Sequence, residues 1–158
     1  MAKVETKVKL KDAIEMANEI CDQIECAEDI CIAGSIRRGS EEIGDIDIVV
    51  VPTEGFAEEV AKIIEITSSG KKKIYGNYKG RPINFFMTDE QGWGAQLMTA
   101  TGPANYNIRK RSLVKRKGLR LNEYGLFDRE SGDWLAGRSE KEIYDYLGWT
   151  NRSPQERK

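Results

Sequence analysis

Histidine is absent from this 158-residue chain, which removes every His-based triad, general base and metal site from consideration. Cysteine is scarce: Cys21, Cys26 and Cys31 are odd in number and lack a C-x-x-C spacing. That pattern supports neither a disulfide framework nor a zinc ribbon, and the three read as reduced core thiols. Long apolar runs are missing too. Ile48–Val51 is only four residues, where a membrane-spanning helix needs about 20, and the lysine-bearing start is not followed by the apolar stretch of a secretory signal. A cytoplasmic protein without a membrane partner is expected. There is no internal repeat and no low-complexity tract. What remains is 39% hydrophobic and 32% charged, the composition of one ordinary globular domain or two small ones. Metal chemistry, if any, must use carboxylates.

The charges are unevenly placed. Residues 1–95 carry 12 Lys and Arg against 18 Asp and Glu, whereas residues 96–158 carry 13 against 8. Within Gln96–Leu121 stand Arg109, Lys110, Arg111, Lys115, Arg116, Lys117 and Arg120 without one acidic residue. Such a run is either a solvated helix face or the footprint of a polyanion. An acidic half joined to a basic half favours nucleic acid.

Leu10, Ile14, Ala17, Cys21 and Ile24 recur at helical spacing, so Lys11–Glu25 is predicted to be an amphipathic helix. Ile30–Ala33 reads as a short strand, Gly34–Gly44 as a connection, and Ile46–Val51 as a β-branched strand stopped by Pro52. A second helix is expected over Gly55–Ile66, then a hairpin of Lys72–Gly76 and Arg81–Thr88 around Asn77–Gly80. Together these make a small sheet with two helices, an α+β unit. Beyond it, Trp93–Ala100 suits a short helix, and a longer one begins at Pro103 and runs to Lys117, with Gly118 as its C-cap. Leu119–Leu121 and Gly125–Phe127 are short strands. Ser139 and Glu142 form a capping box for a last helix through Leu147, and Asn151–Lys158 is a polar tail. Trp93, Trp134, Trp149, Tyr144 and Phe127 are assigned to the second unit's core. Lys71–Lys73 form an exposed strand start, and Glu123 holds a turn or an arginine.

Side chains alternate along a strand, so Asp45 and Asp47 share one face while Ile46, Ile48 and Val50 take the other. Two adjacent carboxylates repel unless a cation relieves them, and an all-oxygen donor set favours Mg2+ or Mn2+. Taken alone, a strand-borne D-x-D reads first as a solvated strand edge. Upstream lie Gly34, Ser35, Arg38 and Gly39, and Gly44 immediately precedes the first aspartate. Small residues admit a phosphate to the backbone, Ser35 offers a hydroxyl and Arg38 a charged fork. A polyphosphate fits, and transfer of a nucleotidyl group needs both parts.

The stretch GSIRRGSEEIGDIDIVV (Gly34–Val50) resembles the palm signature of the nucleotidyltransferase superfamily, and in particular of the family X DNA polymerases. Two further family motifs follow in order, TGPANYNIRKR (Thr101–Arg111) and LNEYGLF (Leu121–Phe127). The resemblance implies a form reduced to a palm over residues 1–92 and a small basic α+β thumb over residues 93–158. It implies two metal ions on Asp45 and Asp47, and a nucleotide held by Gly34, Ser35, Arg38, Gly44, Thr99, Gly102 and Asn107. DNA would meet Arg109, Arg111, Lys115, Arg116 and Lys117, with Asn107 and Arg111 testing minor-groove edges. Thr99, Ala100 and Ala104 stand where the family often has larger side chains, implying a looser sugar pocket. The Gly102–Pro103 bond is expected to be cis. The partners implied are primer-template, gapped or nicked duplex DNA and a deoxynucleoside triphosphate, with the chain a monomer.

The pattern breaks at Asn84, where the family has its third metal-binding aspartate. With Ile83, Phe85 and Met87 facing the core, Asn84 faces the site. An amide offers one neutral oxygen and cannot act as a base. A substitution introduced to trap a complex, a natural variant of weak or no activity, and rescue by Glu90 are the three accounts. The resulting expectation is a DNA polymerase impaired by Asn84. The alternatives are an untemplated nucleotidyltransferase and an inactive DNA-end binder.

Overall fold

The computed structural model describes residues 6–158. In chain order, β1 (Val8–Lys9), α1 (Leu10–Asp22), β2 (Ala27–Ile32), α2 (Gly34–Arg37), β3 (Glu42–Ile43), β4 (Ile46–Pro52), α3 (Phe56–Ile63), β5 (Glu65–Ser69), β6 (Lys73–Tyr78) and β7 (Arg81–Met87) come first. They are followed by α4 (Trp93–Thr101), α5 (Ala104–Arg116), β8 (Leu119–Asn122), β9 (Gly125–Asp128), β10 (Trp134–Ala136), α6 (Glu140–Leu147) and a 3-10 turn at Pro154–Glu156. The class is α+β, as expected.

The first unit is organised by β4, whose β-branched residues Ile46, Ile48 and Val50 are wholly buried on one face. It lies inside a five-stranded sheet of order β2-β4-β7-β6-β5, parallel only where it meets β7. Helices α1 and α3 cover the same face with Ala13, Ala17, Ile20, Phe56 and Val60, and Phe56 meets Phe85 edge-on at 5.6 Å. Burying these apolar side chains, of which the isoleucines, valines and Phe56 each contribute roughly 1.5–3 kcal/mol when removed from water, fixes which face of β4 is left for chemistry.

The second unit packs α4, α5 and α6 on the antiparallel sheet β10-β9-β8. Its core holds Met98, Val114, Leu126, Ile143 and Leu147, and the hydroxyls of Tyr106 and Tyr144 lie 2.7 Å apart inside it. Helix α4 bears no charged residue and serves both units. Ala95 and Met98 enter the second core, while Leu97 meets Ala33 and Val49 of the first. Gly94 makes this possible, because a Cβ there would stand 2.2 Å from the Ser139 carbonyl carbon. No helix among the described residues is long and apolar enough to cross a membrane.

Several expectations change. The Gly34–Gly44 connection contains α2 and the short β3, paired with β1. The helix expected to reach Ile66 stops at Ile63, and Glu65–Ser69 becomes an edge strand against β6. That edge closes because Gly76 opposite has no side chain; a Cβ there would lie 2.3 Å from the Glu65 carbonyl oxygen. The hairpin turn narrows to Lys79 and Gly80, both at positive φ (50° and 81°), the geometry of a two-residue turn matched to strand twist. Strand β10 was not foreseen.

The capping box at α6 is half formed. Ser139 Oγ accepts from the Glu142 N–H at 3.0 Å, but the Glu142 carboxylate turns to the N–H groups of Gly137 and Arg138. Of the aromatics assigned to the second core, Tyr144 and Trp149 belong there, whereas Trp93 packs at the seam with Ala33, Val49 and Leu97. The polar tail is docked: Arg157 is 3% exposed. The three cysteines are free thiols packed at core margins, and the Gly102–Pro103 bond is cis.

Candidate active site

Strand β4 carries Asp47 with Asp45 just before it, and parallel pairing sets Asp47 beside Asn84 of β7 in the same register row. The Asn84 Nδ2 donates to Asp45 Oδ2 at 3.1 Å and to Asp47 Oδ1 at 2.9 Å. One atom within hydrogen-bonding reach of both carboxylates shows that they converge on a common point. Asp45 is exposed and Asp47 half-buried. Burial pushes the Asp47 carboxyl up to about 6; the Asn84 hydrogen bond opposes this, the Asp45 charge adds to it, and Arg38 pulls it down.

The glycine-serine loop abuts this pair. Gly34 sits at φ 61°, and a Cβ there would fall 2.2 Å from Asp47 Oδ2, so only glycine allows the loop this close. The Ala33 N–H donates to the Asp47 carbonyl at 2.7 Å, locking the entry of α2 to β4. Arg38 Nη1 donates to the Thr101 carbonyl at 2.6 Å, beside Gly102. The structure thus gathers Gly34, Arg38, Asp45, Asp47, Asn84 and Gly102 at one place. Gly44 directly precedes Asp45, and Ser35 lies next to Gly34 within α2.

Asn107 and Thr99 are neighbours, since Asn107 Nδ2 donates to the Thr99 carbonyl at 2.9 Å and Thr99 Oγ1 donates to the Ala95 carbonyl. Arg111 faces Glu123 at 3.8 Å, in keeping with the arginine-holding role expected of Glu123. Arg109, Lys115, Arg116 and Lys117 are exposed. The last three lie at the far end of α5, about 18 Å along its axis from the Gly102 end. Lys71, Lys72 and Lys73 are exposed as expected, with the Lys72 ammonium over the Tyr124 ring at 5.4 Å.

Two constellations were not legible. Arg81, 6% exposed, donates through Nη1 to the Thr6 and Gly44 carbonyls and so fixes the turn entering Asp45. Glu140 accepts from Arg37 Nη1 and Nη2 (3.0 and 2.7 Å) and from Arg157 Nη1 (2.6 Å), while Arg37 Nη1 also donates to Thr101 Oγ1. Burial raises the Glu140 carboxyl, but the two guanidinium partners outweigh it and hold it below the ordinary glutamate value. The sole hint was Arg37 beside Arg38, because the partners lie 103 and 17 residues from Glu140.

A strand-borne carboxylate pair against a glycine-serine loop, on a mixed sheet backed by two helices, defines a nucleotidyltransferase palm. The profile of the DNA polymerase beta palm matches residues 4–77, and that of the DNA polymerase beta thumb matches residues 96–158. Repair DNA polymerase X of African swine fever virus is 31% identical over 145 residues, covering 83% of this chain and 82% of that protein. The DNA polymerase/3'-5' exonuclease PolX of Bacillus subtilis is 30% identical over 125 residues, 73% of this chain and 22% of its own length. A ternary P/T complex of Leishmania infantum polymerase beta superposes with a TM-score of 0.83 at 22% identity, over 98% of this chain and 78% of that one. The chain belongs to family X of the DNA polymerases.

Proposed function

We propose that this protein is a DNA-directed DNA polymerase that adds a deoxynucleotide to a primer 3' end in short-gap repair, with its activity held down by Asn84. In this reading residues 1–92 are the catalytic palm, residues 93–158 hold the nascent base pair and DNA, and the chain acts as a monomer. The observation that carries it is the convergence of Asp45 and Asp47 on the Asn84 amide, hard against Gly34. That common point fits a divalent cation by charge and donor type, Mg2+ or Mn2+ on carboxylate oxygens. The donors for a second ion are one carboxylate short. When bound, the ions would neutralise the triphosphate and favour departure of pyrophosphate.

The rest falls to the chain's own groups. Ser35, Arg38 and Gly44 bind the triphosphate, and Asn107 and Arg111 orient the base pair once released from Thr99 and Glu123. Arg109, Lys115, Arg116 and Lys117 hold backbone phosphates. A bond forms between the 3'-oxygen and the α-phosphorus as the bond to pyrophosphate breaks. The proton of the 3'-hydroxyl must leave, and the Asn84 amide cannot accept it. Nucleotide binding is retained and chemistry is slow.

The test is Asn84→Asp, with single-turnover incorporation on gapped DNA measured in Mg2+ and in Mn2+. A gain of about 100-fold or more is expected, of the order that a positioned proton acceptor contributes. Equal incorporation opposite every template base would replace this reading with untemplated transfer. An Asn84→Asp enzyme inert in both metals would favour a DNA-end binder, the alternative that the Asn84 amide itself suggests.

A further inference from the structure

We propose that the segment 151–158 is one wall of a polyphosphate subsite, in which Gln155 and Lys158 meet the outer phosphates of a nucleotide across from Arg38. The proposal rests on the nucleotide-binding reading above and extends it to residues that the nucleotide and DNA assignments leave out.

The segment is held firmly. Arg157 is 3% exposed, donates through Nη1 to Glu140 and through Nε and Nη2 to the Arg152 carbonyl at 3.1 and 3.0 Å. Its guanidinium lies 5.8 Å from the Tyr144 ring centroid. Ser153 and Glu156 close the 3-10 turn reciprocally. The turn rests on the loop that carries Ser35 and Arg38. Gln155 Cγ is 3.4 Å from where a Cβ on Gly39 would be, and Gly39 has φ 73°. The two segments are therefore neighbours in ordinary van der Waals contact, and it is the positive φ at Gly39 that calls for glycine.

Between them lies a cavity of about 330 Å³, lined by Pro103 and by the polar residues Arg38, Ser40, Asn105, Gln155, Arg157 and Lys158. Its size is at the lower end for small-ligand sites. Arg38 and Lys158 bring cationic side chains, Ser40, Asn105 and Gln155 offer hydroxyl or amide donors, and no acidic side chain lines the cavity. Behind it, Arg37 and Arg157 share the single carboxylate of Glu140, leaving one positive charge in excess. Lys158 makes no ion pair among the described residues. Arg38 commits Nη1 to the Thr101 carbonyl, and its backbone N–H donates at 3.1 Å to the carbonyl of Gly34, the residue that abuts Asp47. A group between Arg38 and Lys158 thus sits one helical turn from the residue that abuts Asp47, and the chemistry that satisfies two cations and several neutral donors in so small a space is a chain of phosphates.

The test uses calorimetry on the full chain with deoxynucleoside triphosphate in Mg2+, inorganic tripolyphosphate, deoxynucleoside monophosphate and 5'-phosphorylated gapped DNA. Gln155 and Lys158 are exposed, so Lys158→Ala and Gln155→Ala do not threaten the fold. Lys158→Ala is expected to weaken triphosphate and tripolyphosphate binding about 10-fold, the order of one charge-assisted hydrogen bond, and Gln155→Ala by less, with monophosphate binding unchanged. Unchanged triphosphate and tripolyphosphate affinities in both variants would overturn the subsite while leaving the nucleotide site standing. A loss confined to 5'-phosphorylated DNA would also overturn it, moving the segment to a strand end. Failure of the unsubstituted chain to bind triphosphate would instead sink the underlying nucleotide reading.

Discussion

In the palm, the carboxylates stand on a strand whose opposite face is Ile46, Ile48 and Val50, none of them exposed. In the thumb, the cations stand on α5, of which only Tyr106 and Val114 are buried. The palm thus ties its chemistry to the centre of its core, and a shift of a carboxylate would require a shift of the sheet. The thumb keeps its charges on a helix anchored along one narrow stripe, where long side chains have room to move. Under the proposed function, the two halves would divide the work by rigidity: atomic placement in the palm, adaptable charge for a polyanion in the thumb.

The largest expected effects test whether the cores are separate. Phe85→Ala should cost about 3–5 kcal/mol and Ile143→Ala about 2–5 kcal/mol, each lowering one shared transition in calorimetry. A thumb that melts alone in Ile143→Ala would break the picture of two units joined through α4. Next comes Glu140→Gln, which strands Arg37 and Arg157 and should destabilise by about 3 kcal/mol. Because the folded Glu140 carboxyl lies below its unfolded value of 4.5, its contribution is complete above that value and is lost as pH falls through the folded one. Melting temperature should therefore drop in acid for the parent chain and less steeply for Glu140→Gln; parallel pH profiles would deny the junction this role. The smallest effect sharpens the thumb. Neutralising Lys115, Arg116 and Lys117 together should lower the salt-dependence slope of DNA binding by about 2 to 3 and leave thermal stability in place, whereas an unchanged slope would make that face merely solvated.

Local pattern carried the sequence reading wherever the determining partner was near in the chain. The alternation around Asp45 and Asp47, the basic helix closed by Gly118 and the orientation of Asn84 all follow from spacing. The β5 edge escaped because Gly76, which admits it, belongs to another strand and Glu65–Ser69 has no strong strand composition. The docking of Arg157 escaped because a charged residue near polar neighbours reads as solvated until Glu140 and Arg37 arrive from distant elements. Charge pairing at long range leaves no periodic trace, and the junction and its neighbouring cavity are built from it.

Helix α4 has a practical consequence. With Leu97 lodged against Ala33 and Val49 while Ala95 and Met98 fill the other core, a cut near residue 92 would run along a greasy seam instead of through a solvated tether. Half-molecules prepared there would each expose an unmatched apolar stripe, and would be expected to stick to one another or drop out of solution.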